Sequence, residues 1–140
     1  MAAFNKFNSF VEALAEKVHN LGSDTLKVML TNTAPVATNT IKANLTEIAA
    51  GNGYTAGGNT ATVTSSAQTT GTYKLVLGDP ATWTASGGSI GPFRYAVLYN
   101  DTATNDELIG WWDYGSEVTL GDAESFAVDF DPTTGVLTIA

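Results

Sequence analysis

The feature that most constrains the fold is the spacing of short apolar runs after residue 59. Each run is separated from the next by Gly, Asn, Asp or Pro, which are the residues that turns favour. Short strands at regular intervals predict an antiparallel β-sandwich or barrel rather than a parallel sheet with crossover helices. The predicted strands cover residues 60–68, 72–77, 81–85, 93–100, 108–114, 117–120, 125–131 and 136–139.

An amphipathic helix is predicted over residues 9–21, after a short arm of residues 1–8. Ser9 and Glu12 have the spacing of a capping box, in which each side chain satisfies a free backbone N–H. Gly22 follows at the position where helices commonly end. Apolar residues recur at helical spacing at Val11, Leu14, Ala15, Val18 and Leu21.

Two further elements are predicted before residue 60. Residues 25–32 alternate in polarity, which indicates a half-buried strand. Ile41, Leu45 and Ile48 predict a second, short helix that ends at Gly51, and the Gly-rich residues 53–58 predict turns with positive φ. The whole chain, residues 1–140, is expected to form one mainly β domain: an arm, the N-terminal helix and a β-rich body over residues 25–140.

Alternation in the strongest strand predicts which residues share a face. Residues 93, 95, 97 and 99 are expected on one face, and residues 94, 96 and 98 on the other. The adjacent Trp111 and Trp112 must likewise point to opposite faces of their strand. At least one of them is expected in the core, together with Trp83. The other is either an exposed platform for a sugar or a protein, or is itself covered.

Charge is distributed unevenly along the chain. Residues 95–140 contain nine carboxylates and no Lys or Arg, which gives −9, whereas residues 1–94 contain six basic and five acidic residues, which gives +1. The sum is the net charge of −8. Six scattered basic residues form no patch for phosphate, so neither nucleic acid nor an anionic membrane is an expected partner.

Residues that would carry catalysis are sparse. His19 is the only histidine, and cysteine is absent. His19 is expected near the end of the helix, at the helix dipole or in solvent. An acid pair of the glycosidase type and a calcium site at residues 122–131 remain alternatives, but most Asp residues lie beside turn formers. We therefore expect no enzymatic activity, no cofactor and no metal.

Three segments carry a resemblance: residues 44–54 (NLTEIAAGNGY), 93–101 (FRYAVLYND) and 109–115 (IGWWDYG). They resemble small virion proteins of tailed bacteriophages, some of which are capsid decoration, or cement, proteins. The resemblance implies a β-rich protein, often trimeric, that docks on the outside of the major capsid lattice. It implies no particular functional residue.

The working hypothesis is a decoration protein that binds between major capsid subunits and stabilises the expanded head. It implies a homo-oligomer, with a trimer favoured, that resides in the virion after assembly in the host cytoplasm. The candidate protein interface comprises Phe4, Phe7, Trp111, Trp112 and Tyr114. The alternatives are a tail or fibre component, a host-glycan-binding attachment module and, least favoured, a hydrolase.

Overall fold

The computed structural model describes residues 2–140, which form antiparallel sheets and one α-helix. The mainly β fold with an N-terminal helix is thus confirmed. In chain order the elements are β1 (Asn5–Lys6), α1 (Ser9–Ala15), β2 (Leu26–Thr31), a 3₁₀ turn (Lys42–Asn44), β3 (Asn59–Ala61), β4 (Val63–Thr69), β5 (Thr72–Leu77), β6 (Trp83–Thr84), β7 (Ile90–Asn100), β8 (Leu108–Leu120), β9 (Ser125–Phe126) and β10 (Leu137–Ile139).

The largest sheet has five strands in the order β1-β8-β7-β2-β3. Its centre is the long hairpin of β7 and β8, which is longer than the sequence predicts. The break expected at residues 115–116 does not end β8, since Gly115 takes a positive φ of 101° within the strand and the pairing of β8 with β7 shifts register there. A bulge of this kind accommodates the extra residues without ending the strand.

A three-stranded sheet has the order β10-β5-β4, and a two-stranded ribbon joins β6 and β9. β4 and β5 form a tight hairpin in which Thr69 pairs with Thr72. The ribbon brings Trp83 opposite Phe126. The strand predicted over residues 125–131 is confined to Ser125–Phe126. Farther along, the backbone N–H of Phe130 donates to the side chain of Asp79 instead of to a neighbouring strand.

The five-stranded sheet is buried on both faces. Val28 and Leu30 lie in the main hydrophobic cluster, while Met29, between them, lies in a second cluster with Val97 and Tyr99. β2 was predicted to be half-buried, and this prediction is wrong, since the second face is covered as well. The main cluster also contains Leu75, Leu77 and Leu137 from the three-stranded sheet.

The predicted faces of β7 are partly wrong. Phe93 lies in the main cluster with Ala96 and Leu98, whereas Val97 and Tyr99 lie in the second. Strict alternation would place Phe93 with Val97. The register between β7 and β8 shifts between residues 93 and 95, and this irregularity moves Phe93 to the other face.

The N-terminal helix is shorter than predicted and ends at Ala15. The chain turns out of the helix at Lys17, whose φ is 67°, so Gly22 does not end it. The Ser9–Glu12 capping box does not form: Asn8 is the N-cap, without a side-chain hydrogen bond. Phe10 is the buried helical residue, and Val11, placed on the apolar stripe by its spacing, is 52% exposed.

Two other predicted segments differ from the structure. The second short helix is a single 3₁₀ turn at Lys42–Asn44, in which the side chain of Asn44 accepts the N–H of Ile41 at 3.2 Å. The N-terminal arm does not project, because Asn5 and Lys6 pair with Trp111 and Gly110 as the edge strand β1. Met1 of this arm lies outside the described residues.

Candidate interaction surface

The predicted interface residues Phe4 and Phe7 pack against the two tryptophans of β8, one on each face of the sheet. Their separation of three residues along an extended chain places them on opposite faces. The Phe4 ring lies 5.4 Å from that of Trp112, and the Phe7 ring lies 4.6 Å from that of Trp111. Gly110 makes this possible, since a Cβ at that position would overlap the Phe4 ring.

Burial separates the five predicted interface residues. Phe7 and Trp112 belong to the core, with exposures of 0% and 7%. Phe4 and Trp111 are half-buried. Tyr114 is 58% exposed and is therefore the member of the set that offers most of its side chain to a partner. Trp83, predicted to be core, is 1% exposed, and this prediction is confirmed.

Tyr114 stands at the rim of a groove of about 320 Å³. The floor of the groove is formed by Phe93, Ala96 and Trp112, and one wall is formed by residues 126–129. Phe126 holds this wall in place, since its ring packs edge-on against Phe93 at 4.9 Å and against Tyr114 at 5.5 Å. An apolar groove with an exposed aromatic rim is typical of a surface that binds another molecule.

A fixed ion pair lies beside Tyr114. Arg94 donates to both carboxylate oxygens of Asp113, at 2.8 Å and 3.0 Å, and its guanidinium lies 5.5 Å from the centre of the Tyr95 ring. The bond from Arg94, together with the N–H of Gly115 at 2.8 Å, lowers the pKa of Asp113 below its usual value. A bidentate pair is held in one geometry and presents its charges in fixed positions.

The sequence did not indicate that Arg94 pairs with Asp113 or that Phe126 shapes a surface. Asp113 was considered only as a carboxylate beside the tryptophans, Arg94 as a basic residue on one face of a strand, and Phe126 as part of a strand. The hairpin register brings the first two together, because Tyr95 is opposite Asp113. A register can be read from a tight two-residue turn, but β7 and β8 are joined by seven residues, 101–107, so the sequence left their pairing open.

His19 is buried, at 4% exposure, and the prediction of a site at the helix end or in solvent is wrong. The amide nitrogen of Asn100 lies 3.0 Å from its Nδ1 and also donates to Asp24 at 2.7 Å. The amide oxygen of Asn100 accepts two backbone N–H groups, from Thr102 and Ala103, which fixes the amide orientation. His19 Nδ1 therefore accepts, and the proton of the neutral ring is on Nε2.

The contacts of His19 hold parts of the fold together. Burial lowers its pKa, and the charges of Glu107 and Asp24 oppose that shift. Its Nε2 has no hydrogen-bond partner within residues 2–140. The ring packs against Phe10 at 5.5 Å, so His19 ties the helix and the following loop to the end of β7.

The carboxylates of the last third hold turns. Asp131 accepts the N–H groups of Thr133 and Thr134 at 2.7 Å and 3.2 Å, and these bonds lower its pKa. Asp122 accepts the N–H of Gly87 at 2.9 Å. Over residues 2–140, no group of three or more His, Asp or Glu side chains is arranged to hold a metal ion.

A second, partly buried polar cluster fastens the Gly-rich loop to β2. Glu47 accepts from the hydroxyl of Tyr54 at 2.7 Å and from the N–H of Gly57 at 2.6 Å. Tyr54 in turn accepts the N–H of Leu30 at 3.0 Å, and burial raises the pKa of its hydroxyl. Gly58 fits only as glycine, because its φ is 76° and a Cβ would overlap Val28. Every member of this cluster is used inside the molecule.

Comparisons of this chain with protein-family models, with curated proteins and with solved structures find no match. Within residues 2–140, none of the helical structure is long and apolar enough to cross a membrane.

Proposed function

We propose that this chain is a structural protein of a tailed-phage virion, of the capsid decoration type. It binds between major capsid subunits and stabilises the expanded head. The observation that supports a binding role best is the groove beneath Tyr114, which combines an apolar floor, an exposed aromatic rim and a fixed ion pair. The virion class itself rests on the resemblance of residues 44–54, 93–101 and 109–115 to small phage virion proteins.

We also infer that the two larger sheets face each other as a sandwich. Leu30 and Leu98 of the five-stranded sheet share one hydrophobic cluster with Leu75 and Leu137 of the three-stranded sheet. Two sheets that share one core are expected to pack face to face at about 10 Å. A rigid body of this kind suits a protein that bridges subunits, because little conformational entropy is lost when it binds.

The energetics of decoration do not need a strong single contact. A small groove supplies modest affinity, and a symmetric lattice multiplies it, since a bridging protein meets its second contact at high effective concentration. The carboxylates of residues 95–140 are largely exposed and keep the outward surface soluble. Packaged DNA pushes capsid subunits apart, and a bridge between subunits opposes that force.

Co-sedimentation with expanded capsids that lack the protein tests the proposal. We expect saturable binding at a fixed ratio to the capsid subunit, and none to tails or host envelopes. Tyr114→Ala should weaken binding at least tenfold because it removes the exposed rim of the groove, which corresponds to about 1.4 kcal/mol. Val36→Ala is the matched control: it truncates a similarly exposed apolar side chain in the loop of residues 33–40, and Val36 is 53% exposed.

Arg94→Lys refines the same experiment. Lysine keeps the charge but cannot donate in the bidentate geometry that holds Asp113. Capsid affinity is expected to fall by less than with Tyr114→Ala. Binding to tails or envelopes with none to capsids would remove the decoration proposal in favour of a tail or attachment role.

The glycan-binding alternative predicts a solvent-facing tryptophan beside Asp113. Trp112 is 7% exposed and Trp111 is half-buried against Phe7, so neither ring offers a free face. Tyr114 is the remaining aromatic platform on this strand. A glycan array with wild-type protein and Tyr114→Ala separates the two alternatives, since only an attachment module would give tyrosine-dependent binding to sugars.

A further inference from the structure

We propose that the free edge of β4 is a self-association surface, where a second copy of this chain adds its own β4 in antiparallel orientation. The three-stranded sheet would then continue across a two-fold axis as six strands. The proposal concerns the free protein and does not depend on capsid binding.

The outer edge of β4 has unpaired backbone groups. Within residues 2–140, backbone hydrogen bonds from residues 63–69 go to β5 alone. The β4–β5 turn consists of Thr70 and Gly71, with φ of 48° and 84°, as in a two-residue type I′ turn. Hydrogen-bonded pairs alternate outward from the closing pair Thr69–Thr72. Ser66 and Gln68 therefore direct their N–H and C=O groups away from β5.

The other edge strands of the two larger sheets are short or charged, and β4 is neither. β1 has two residues and carries Lys6, and β3 and β10 have three residues each. β4 has seven residues, with no charge and no proline, and its register shift lies at the start, between Val63 and Ser65. Proteins normally protect a long edge with charge, proline or a bulge, because an unprotected edge pairs with another strand.

Charge indicates that the partner is a second copy. Residues 48–78 contain no carboxylate, although the chain carries −8, and Lys74 is their only charged residue. Two acidic copies repel least where neither has a carboxylate. A basic partner would instead be drawn to the acidic residues 95–140. Lys74 adds little repulsion, because it is on β5 and donates to the carbonyl of Thr133 at 2.8 Å.

The pairing that uses both outward-facing residues is centred on Ala67. Ser66 of each copy then lies opposite Gln68 of the other copy. Each of these two pairs exchanges two backbone hydrogen bonds. Ala67 faces its own symmetry mate in a pair without backbone bonds. Ser65, Ala67 and Thr69 are exposed, small and uncharged, so their shared face meets no steric or electrostatic obstacle.

Sedimentation of the purified protein over a range of concentrations tests the contact. We expect a monomer–dimer equilibrium, and we expect Gln68→Pro to shift it towards monomer at least tenfold. Proline removes an outward N–H but leaves the ladder to β5 intact. Gln68→Ala is the matched control, because it loses the same side-chain bond to the N–H of Gly71 but keeps the backbone donor, and it should remain dimeric.

Single cysteines test the register even if Gln68→Pro fails to fold. The chain has no cysteine of its own. Facing Ala67→Cys residues would have Cα atoms ~4.5 Å apart, within the range of a disulfide. Ser65→Cys residues on the same face would be ~14 Å apart and should not cross-link. We expect oxidised dimer from Ala67→Cys alone.

Several results would overturn the proposal. The wild-type protein could sediment as a monomer throughout, or as the trimer that the phage resemblance implies. A folded Gln68→Pro variant could dimerise as tightly as Gln68→Ala. Equal cross-linking of Ser65→Cys and Ala67→Cys would rule out the register and, with it, the two-fold pairing described.

Discussion

The five-stranded and three-stranded sheets use the same antiparallel pairing but bury their surfaces differently. In the first, Val28 and Met29 are both fully buried although they point to opposite faces. In the second, Leu75 is buried in the main cluster, while Thr72 on the other face of β5 is exposed. β2, inside the sheet with two covered faces, is nearly continuously apolar, whereas β4, at the edge of the other sheet, is rich in Ser and Thr.

The difference arises from two segments outside the sheet. Phe7 of the N-terminal segment and Leu45, which follows the 3₁₀ turn, cover the second face of the five-stranded sheet, where they join Leu108 of β8 and pack against Trp111. Within residues 2–140, the outer face of β4 and β5 has no comparable layer: Val76 is buried there at 7% exposure but belongs to neither hydrophobic cluster, and Ser65, Ala67 and Thr72 are exposed. Residues 4–7 therefore act as part of the core rather than as an appendage, whereas the three-stranded sheet keeps a largely exposed outer face and a free edge.

The largest expected effect is that of Phe7→Ala. This side chain is fully buried in the second cluster, so its removal should lower the free energy of unfolding by about 3–5 kcal/mol. Phe4→Ala should cost less, since Phe4 is half-buried. Urea denaturation followed by tryptophan fluorescence measures both. If Phe7→Ala costs no more than Phe4→Ala, the second face is not a stabilising layer.

A pair of isosteric changes compares the two outer faces directly. Val97→Thr places a hydroxyl in the second cluster, where Val97 is fully buried, and should cost about 1–3 kcal/mol. Thr72→Val makes the reverse change on the exposed face of β5 and should stay within about 0.5 kcal/mol. If chemical denaturation shows that both variants lose the same free energy of unfolding, the proposed difference in burial between the two sheets is wrong.

Acid should lower the stability of the fold, because His19 is buried at the end of the five-stranded sheet. Burial lowers the pKa of His19 in the folded state, so the unfolded chain binds the proton more readily, at its ordinary value of 6.5. Stability is therefore highest above that pH and falls as the pH drops through it. The midpoint of thermal unfolding should decrease between about pH 7.5 and about pH 5.5.

His19→Asn is the control for this pH dependence. Its amide oxygen replaces Nδ1 as the acceptor from Asn100, but the side chain does not titrate. The variant should show a smaller change of midpoint over the same interval. If the midpoint of the variant changes with pH as much as that of the wild-type protein, the pH dependence arises from the carboxylates instead.

The smallest expected effect on stability is that of Tyr114→Ala. Although its ring contacts Phe126, Tyr114 is mostly exposed, so the free energy of unfolding should change by about 0.5 kcal/mol or less. The same variant is expected to lose capsid affinity. A large loss of stability would place Tyr114 in the core and remove it from the binding surface.

Local patterns predicted much of the fold because their physical cause is local. Alternation located β2, the turn residues separated the later strands and so located β5, and Gly-rich residues 53–58 do contain glycines with positive φ, such as Gly53 and Gly57. The opposite orientation of Trp111 and Trp112 followed from strand geometry alone. The helix was overextended because spacing does not show which apolar residues meet a neighbour: Val11 has the period and remains exposed.

The sequence by itself determined the antiparallel β class, the presence of an N-terminal helix, the charge asymmetry and the residues that form turns. Tertiary structure alone decided the pairing of Arg94 with Asp113, the burial of His19 against Asn100 and the use of residues 4–7 as a covering layer. Each of these joins groups far apart in the chain. Their positions depend on strand register and on how the sheets pack, and neither is determined by neighbouring residues.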